Sequence, residues 1–306
     1  MSHYKTVIIG SGPAGYSAGI YAARGGAKPL IITGNEFGGS ITRTNDLENY
    51  PGFSNRIDGI FLTEEMRKQA EIFGTEIKAD SVIRADLSGR PFTLELSGGD
   101  IVTADSLIIA TGSEARTLGL ENEKRLTGHG ISYCATCDGF FFKGRPVAVI
   151  GGGNSAATET LHLSETSSHV YIIHRRGELR AEQQVKDYIG KAENITMLMN
   201  STVEEVMEKD GNVSAIRIKN TITGEENEVS VDAIFIAVGS IPNSSLFDLE
   251  KDDQGYIATK PDSMKTSVEG VFAAGDIRVL RYRQAIIAAA SGAQAAMEAL
   301  EFLTRH

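Results

Sequence analysis

Cysteine is almost missing from this 306-residue chain: two residues in all, so no disulfide scaffold can hold the fold together. Long hydrophobic runs are missing too. None approaches the ~20 residues a membrane helix requires, and Met1-Ser2-His3-Tyr4-Lys5-Thr6 leads directly into a short apolar strand with no signal-peptide pattern. Positive charge is in deficit, with 30 basic against 40 acidic residues and a net charge of −10. That deficit argues against non-specific nucleic-acid binding, which relies on a basic surface. The shortages point to a cytoplasmic protein with neither membrane nor nucleic acid as partner. What is present is ordinary globular composition, 41% hydrophobic and 23% charged, in a chain long enough for two domains. Glycine is plentiful at 33 residues, gathered at strand ends, which predicts many tight strand-to-helix turns.

Two of those turns carry a pattern. Val7-Ile8-Ile9 reads as a buried strand, followed by Gly10-Ser11-Gly12-Pro13-Ala14-Gly15, a small-residue helix from Tyr16 to Arg24 and a second strand at Leu30-Ile31-Ile32. This is the strand, G-x-G-x-x-G, helix, strand context of a dinucleotide site. Gly10 makes the turn, Gly12 lets the backbone approach a pyrophosphate, and Gly15 lets the helix pack closely on the sheet. The helix N-terminus offers free N–H groups and partial positive charge to phosphates. Glu36, a little beyond the second strand, is a candidate ribose acceptor. After Val147-Ala148-Val149-Ile150 the pattern returns as Gly151-Gly152-Gly153-Asn154-Ser155-Ala156, with its partner strand at Val170-Tyr171-Ile172-Ile173. Two fingerprints predict two nucleotide-binding units. The second strand of the later unit ends in His174-Arg175-Arg176, with Arg180 one turn on, where an NAD site carries a carboxylate. Guanidinium groups there suit a 2′-phosphate, hence NADP; a solvated basic turn is the plainer alternative.

Between the fingerprints lies Cys134-Ala135-Thr136-Cys137, followed by Asp138-Gly139-Phe140-Phe141-Phe142. Such a pair is a redox disulfide, half a metal site, or coincidence. Zinc wants four ligands, and this chain has no second cysteine pair; its nearest histidine, His129, lies five residues before Cys134. The redox reading leads, because a two-residue spacer lets the sulfurs close a small ring that opens again easily. Elsewhere, residues 59–73 show helical spacing, and Glu76 to Val102 and Ile195 to Val231 read as β meanders. Leu107 to Gly112 and Ala233 to Gly239 are buried strands ending in glycine. Near the end, Ala273-Ala274-Gly275-Asp276 precedes an alanine-rich helix starting near Arg283-Gln284-Ala285. Asp276 is either a turn carboxylate or an acceptor for a flavin's ribityl hydroxyl.

On these stretches, with Tyr282-Arg283-Gln284-Ala285, the chain resembles the bacterial low-molecular-weight thioredoxin reductases over nearly its whole length. The resemblance implies an α/β fold of two Rossmann-like, three-layer nucleotide-binding domains. The FAD-binding domain is discontinuous, 1–115 and 244–306, and the inserted 116–243 binds NADPH and carries the disulfide; the crossings are placed near Glu114–Thr117 and Ile241–Ser245. Carried over position by position, FAD contacts fall at Gly10, Ser11, Gly12, Pro13, Ala14, Gly15, Thr33, Gly34, Glu36, Gly38, Gly39 and Ser40. They continue at Asn49, Ala110, Thr111, Gly112, Gly275, Asp276, Arg283, Gln284 and Ala285. NADPH contacts fall at Gly152, Gly153, Asn154, Ser155, His174, Arg175, Arg176, Arg180 and Gly239.

The resemblance further implies a homodimer that passes electrons from NADPH through FAD to the Cys134–Cys137 disulfide and on to thioredoxin. Similar enzymes swing the NADPH domain between two orientations. Cys137 is expected to face the flavin, Cys134 to attack thioredoxin, and Asp138 to serve as general acid, with a turn carboxylate as its alternative role. The chain departs from the family at Ser40, where relatives usually carry Gln, and at Arg278-Val279-Leu280-Arg281, where Asp-His is commoner. Three rival functions remain: a flavin dithiol oxidase without NADPH, a peroxiredoxin-reducing flavoprotein, and a non-enzymatic nucleotide sensor. The Gly151 fingerprint and Arg175-Arg176 oppose the first, and the absence of an extra N-terminal disulfide domain opposes the second.

Overall fold

A computed structural model describes residues 1–44, 46–280 and 282–305. The chain divides into two compact units, Met1–Glu114 with Ile241–His306, and Ala115–Ser240. In chain order the first stretch holds strand β1 (Ser2–Ile9), helix α1 (Pro13–Arg24), β2 (Leu30–Ile32), α2 (Gly59–Ile72), β3 (Glu76–Lys78), β4 (Val82–Asp86), β5 (Phe92–Leu96), β6 (Ile101–Ile109) and β7 (Ser113–Ala115). The middle stretch holds α3 (Glu123–Leu126), β8 (Ile131–Ser132), α4 (Ala135–Asp138), β9 (Pro146–Ile150), α5 (Asn154–Ser164), β10 (His169–His174), α6 (Gln183–Lys191), β11 (Ile195–Met199), β12 (Ser201–Lys209), β13 (Asn212–Asn220), β14 (Glu226–Ser230) and β15 (Ala233–Ile236). The last holds β16 (Ser240–Pro242), β17 (Val271–Ala273) and α7 (Ala285–Arg305). Strands β7 and β16, at the two crossings, pair in a two-stranded sheet.

The first unit is built on a sheet of order β3-β2-β1-β6-β5-β4, with β17 from the far end of the chain added in parallel to β6. Val7 and Ile8 are fully buried, and burying each such side chain contributes about 1.5–3 kcal/mol. A continuous apolar run is what a strand covered on both faces requires. On one face α7 lies along α1, which is possible because small residues line the contact: a Cβ on Gly292 would sit 2.0 Å from the Ala14 carbonyl oxygen. Contrary to the expectation that no run approaches membrane length, α7 is long and apolar enough to cross one, because its alanines are broken by few charges; here Ala288, Ala289, Ala295, Ala296 and Ala299 are buried in the core that α1 shares. It begins at Ala285, within the stretch where the sequence places its start.

The second unit repeats the plan with a sheet of order β11-β10-β9-β15-β8, all parallel, and a separate antiparallel β12-β13-β14. Both expected meanders are shorter than the sequence suggests, for the same reason. Their first strands, β3 and β11, leave the antiparallel run and pair in parallel with β2 and β10. Three- and five-residue strands carry too little alternation to reveal which neighbour they take.

Candidate functional site

In the first unit the fingerprint forms a cradle. Gly10 has φ +112°, and a Cβ there would lie 2.3 Å from the Ala110 carbonyl oxygen; one on Gly15 would lie 1.9 Å from the Gly10 oxygen. Neither position has room for a side chain. Gly12 ends the loop as the N-cap of α1 without a side-chain cap, with Pro13 at the first helical position, so the helix's free N–H groups stay open to a ligand. Ser11 Oγ donates to the Thr33 carbonyl at 3.1 Å and accepts the Gly38 N–H at 3.2 Å, which ties the loop after β2 to the fingerprint. Gly34 (φ +74°) turns that loop, and a Cβ on Gly39 would come within 3.1 Å of Gly12 Cα.

From the other chain end, Gly275 comes up against Ala14: its own Cβ would sit 3.0 Å from that of Ala14, and its N–H is held by Ser291 Oγ at 2.8 Å. Asp276 follows, half-buried, its Oδ1 enclosed without a hydrogen-bond partner. Burial raises its pKa, against the opposing pull of Arg283 and Arg278. Asn49 donates to Gln284 at 3.2 Å. Thr111 Oγ1 donates to the Asn243 carbonyl and Asn243 returns a bond to the Thr111 carbonyl, steadying Ala110-Thr111-Gly112 at the end of β6. Arg283 stacks over Tyr256 at 4.6 Å from the ring centre, just before Ala285 opens α7. Two expected positions stand differently. Both Glu36 carboxylate oxygens are held by Arg43 at 2.9 and 3.0 Å, and Ser40 is exposed at the start of a 3₁₀ turn. Arg278 reaches Thr259 at 3.3 Å; Arg281 lies outside the described residues.

The second fingerprint repeats the geometry with one addition. A Cβ on Gly151 would meet the Ala237 oxygen at 2.3 Å, while Gly153 faces open space as the uncapped N-cap of α5. Gly152 rests on the His174 ring, which would lie 2.3 Å from a Cβ. His174 is 5% exposed; burial first, and then the cationic Arg180, Arg176 and Arg175, lower its pKa and favour the neutral ring. Its Nε2 has no partner. The Arg180 N–H donates to the Gly152 oxygen at 2.6 Å, which brings Arg180 back beside Arg175 and Arg176 at the mouth of the loop. All three arginines are exposed, and among the described residues none forms an ion pair. Asn154 Oδ1 accepts the Glu182 N–H, Ser155 is exposed, and Gly239 (φ +100°) accepts the Arg116 N–H.

The cysteines belong to the same unit. Cys134 and Cys137 are joined as a disulfide with Cα atoms 5.3 Å apart, Cys134 being the N-cap of α4. The pair is carried at the end of β8, where Ser132 Oγ accepts the Cys134 N–H at 3.0 Å and donates to Asp138 Oδ2 at 2.6 Å. Ser132 thus fixes both the first cysteine and the neighbouring carboxylate. Thr136 Oγ1 lies 3.4 Å from Cys134 Sγ. Beneath, Gly139 presses on Leu163 of α5, leaving 2.8 Å for a Cβ.

This geometry can be set beside known proteins. Residues 4–293 match the family described as pyridine nucleotide-disulphide oxidoreductase. Thioredoxin reductase of Rickettsia typhi (strain ATCC VR-144 / Wilmington) is 47% identical over 305 residues, covering 98% of each chain. The chain belongs to the thioredoxin reductases. Another relative, thioredoxin reductase of Escherichia coli O157:H7, is 44% identical over 310 residues, covering 98% of this chain and 96% of that one. Among solved structures, the thioredoxin reductase from Giardia duodenalis aligns with a TM-score of 0.94 at 36% identity, over 99% of this chain and all of that one. That from Streptococcus pyogenes MGAS5005 gives 0.93 at 36% identity, over 100% and 99%.

Ser132 is the residue that sequence reasoning misses in this family member. A hydroxyl two residues before Cys134, closing a strand, was a readable signal, because serine at such a place bonds local backbone.

Proposed function

We propose that the chain is an NADPH-dependent, FAD-containing thioredoxin-disulfide reductase, acting in the cytoplasm on thioredoxin or a thioredoxin-like protein. The observation that carries the reading is the closed Cys134–Cys137 disulfide in the unit whose nucleotide loop ends in three unpaired arginines. The unit Met1–Glu114 with Ile241–His306 is then the FAD-binding one and Ala115–Ser240 the NADPH-binding one, one residue at the first crossing and three at the second from the expected 1–115, 116–243 and 244–306. Residues at both loops fit the groups. The first cradle offers uncapped N–H groups at Gly12 and the orphaned Asp276 oxygen; the second offers Gly153, the His174 platform and the guanidinium groups. FAD, when bound, supplies a two-electron relay between a hydride donor and a disulfide. The chain's own part is to hold pyrophosphates at two helix N-termini, to select the phosphorylated ribose through Arg175, Arg176 and Arg180, and to run thiol–disulfide exchange.

In that exchange the Cys134 thiolate attacks one sulfur of the substrate disulfide and stays bonded to it as the mixed disulfide, while the substrate S–S bond breaks and the other sulfur leaves first, as a thiolate. Cys137 then attacks Cys134 Sγ, re-forming the internal bond and releasing the second substrate sulfur. Asp138, oriented by the Ser132 hydroxyl, delivers a proton to a leaving thiolate. NADPH consumption with and without oxidised thioredoxin tests the reading: consumption should follow thioredoxin, whereas an oxidase consumes dioxygen and ignores it. Binding of both nucleotides without turnover would favour the sensor.

The reading includes a homodimer. The first unit carries an apolar groove of about 680 Å³ lined by Tyr21, Phe53, Met66, Ile72, Ile286 and Ala293, and Ile72 is 79% exposed. A second copy would cover this surface, since exposed patches of this kind mark association sites. Ile72→Glu is expected to shift sedimentation from dimer to monomer; an unchanged dimer would move the interface elsewhere.

A further inference from the structure

The strand that leads into the redox turn is the shortest in its sheet. β8 is two residues long, pairs with β15 at Ile131 and Ser132, and on its other side meets a bridge from Thr127. Tyr133 and Cys134 follow at once. So short a ladder gives the turn little support, and a buried side chain supplies more from outside it.

Glu123, at the start of α3, is 3% exposed. A carboxylate that deep needs hydrogen-bond donors in place of water. Its Oε2 accepts the Leu118, Gly119 and Leu120 N–H groups at 2.9, 2.8 and 3.2 Å. Its Oε1 accepts the Tyr133 hydroxyl at 2.9 Å. The three N–H groups belong to the segment by which the chain enters this unit after Ala115. The hydroxyl belongs to the residue before Cys134. Leu118, Leu120 and Tyr133 pack on the same apolar core as Ile131, so packing places the ring and the carboxylate fixes its hydroxyl. The Glu123 carbonyl also accepts the N–H and the hydroxyl of Thr127, the residue bridged to Ile131. Ser132 thus steadies Cys134 from within the turn, and Glu123 from a separate helix.

Such a tether weighs differently on the two redox states. While the S–S bond is closed, the ring it forms restrains its own backbone. Once the bond opens, the dithiol gains conformational freedom unless something else confines it. Confinement keeps the two thiols near each other, raises their effective concentration and favours closure.

We propose that Glu123 is a positioning residue for the redox pair: through the Tyr133 hydroxyl it holds the Cys134 end of the opened turn where the two sulfurs meet again, and so biases the pair toward the disulfide. Glu123 itself gains and loses nothing in the reaction. With glutathione as reductant, the Cys134–Cys137 bond breaks, a bond between two glutathione sulfurs forms, and two protons pass from glutathione to the cysteines. The inference rests on the redox reading of the pair, but glutathione supplies the electrons. Failed turnover with NADPH and thioredoxin would therefore remove the proposed function and leave this measurement standing.

The full-length protein is equilibrated without air in glutathione buffers of stepped thiol-to-disulfide ratio, alkylated with iodoacetamide and weighed by mass spectrometry, which gives the open fraction. Tyr133→Phe keeps the ring and deletes the hydroxyl. It should move the equilibrium constant toward the dithiol by roughly threefold to tenfold, the span of one net hydrogen bond. Glu123→Ala should move it the same way, and adding Tyr133→Phe to Glu123→Ala should move it no further, because both remove one contact. Glu123→Ala also leaves three N–H groups without their acceptor and can cost the fold; Tyr133→Phe then decides alone. An unmoved equilibrium in Tyr133→Phe, even with a lowered Tm, makes the contact merely structural and overturns the proposal. So does a shift toward the disulfide, or a double variant in which the two shifts add.

Discussion

Replacing Cys134 by Ser is expected to lower thioredoxin reduction by about 1000-fold or more, since an alcohol at neutral pH is a far weaker nucleophile than a thiolate. The same protein should still bleach its flavin on addition of NADPH, because Cys134 is not among the residues expected to hold either nucleotide. The disulfide spans four residues on a short helix anchored by Ser132 and Gly139, so losing it costs little of the fold. Stopped-flow absorbance at flavin wavelengths, beside a thioredoxin turnover assay, separates the two effects. Loss of bleaching along with turnover would mean that the pair acts before the flavin, and the electron order would have to be rewritten.

The second large effect concerns cofactor choice. Arg175 and Arg176 follow the end of β10, exposed and, among the described residues, in no ion pair, which leaves their donors available to a dianion. Charge-assisted hydrogen bonds contribute about 1.5–3 kcal/mol each. Replacing both by Ala should therefore raise the KM for NADPH by about 100-fold, at 1.36 kcal/mol for each factor of ten. NADH, which lacks the phosphate, should be used nearly as before, and initial-rate kinetics with both nucleotides measures the contrast. Equal losses with both would make the arginines a structural feature of the loop.

Much of this was readable before any coordinates. Val7-Ile8-Ile9 and Val147 to Ile150 are continuous apolar runs next to glycines that leave no room for a side chain, so composition and spacing alone locate both nucleotide loops. The cysteine pair was equally legible, because a chain with two thiols three positions apart has few uses for them. Three things escaped. Strands β3 and β11 change partners on the strength of tertiary packing that their short sequences do not encode. The ion pair that Glu36 forms with Arg43, seven residues on, was not legible either, because spacing alone does not say which exposed charges will meet. Ser132 meets the Cys134 N–H of the redox turn, and side-chain identity says little about which N–H a hydroxyl will meet.

Because β17 and α7 come from the end of the chain, the order in which the ribosome delivers the protein has a consequence. When Ser240 emerges, the inserted unit has every strand it needs, while the earlier one has an open edge on β6 and an uncovered α1. A chain stopped at Ser240 should accordingly yield, under limited proteolysis, a resistant core spanning 115–240 and a quickly digested remainder; uniform digestion would show that neither half stands alone. In the cell the nascent polypeptide would finish its later nucleotide loop first and keep the earlier one waiting, with its apolar edge in the care of whatever shields unfinished chains.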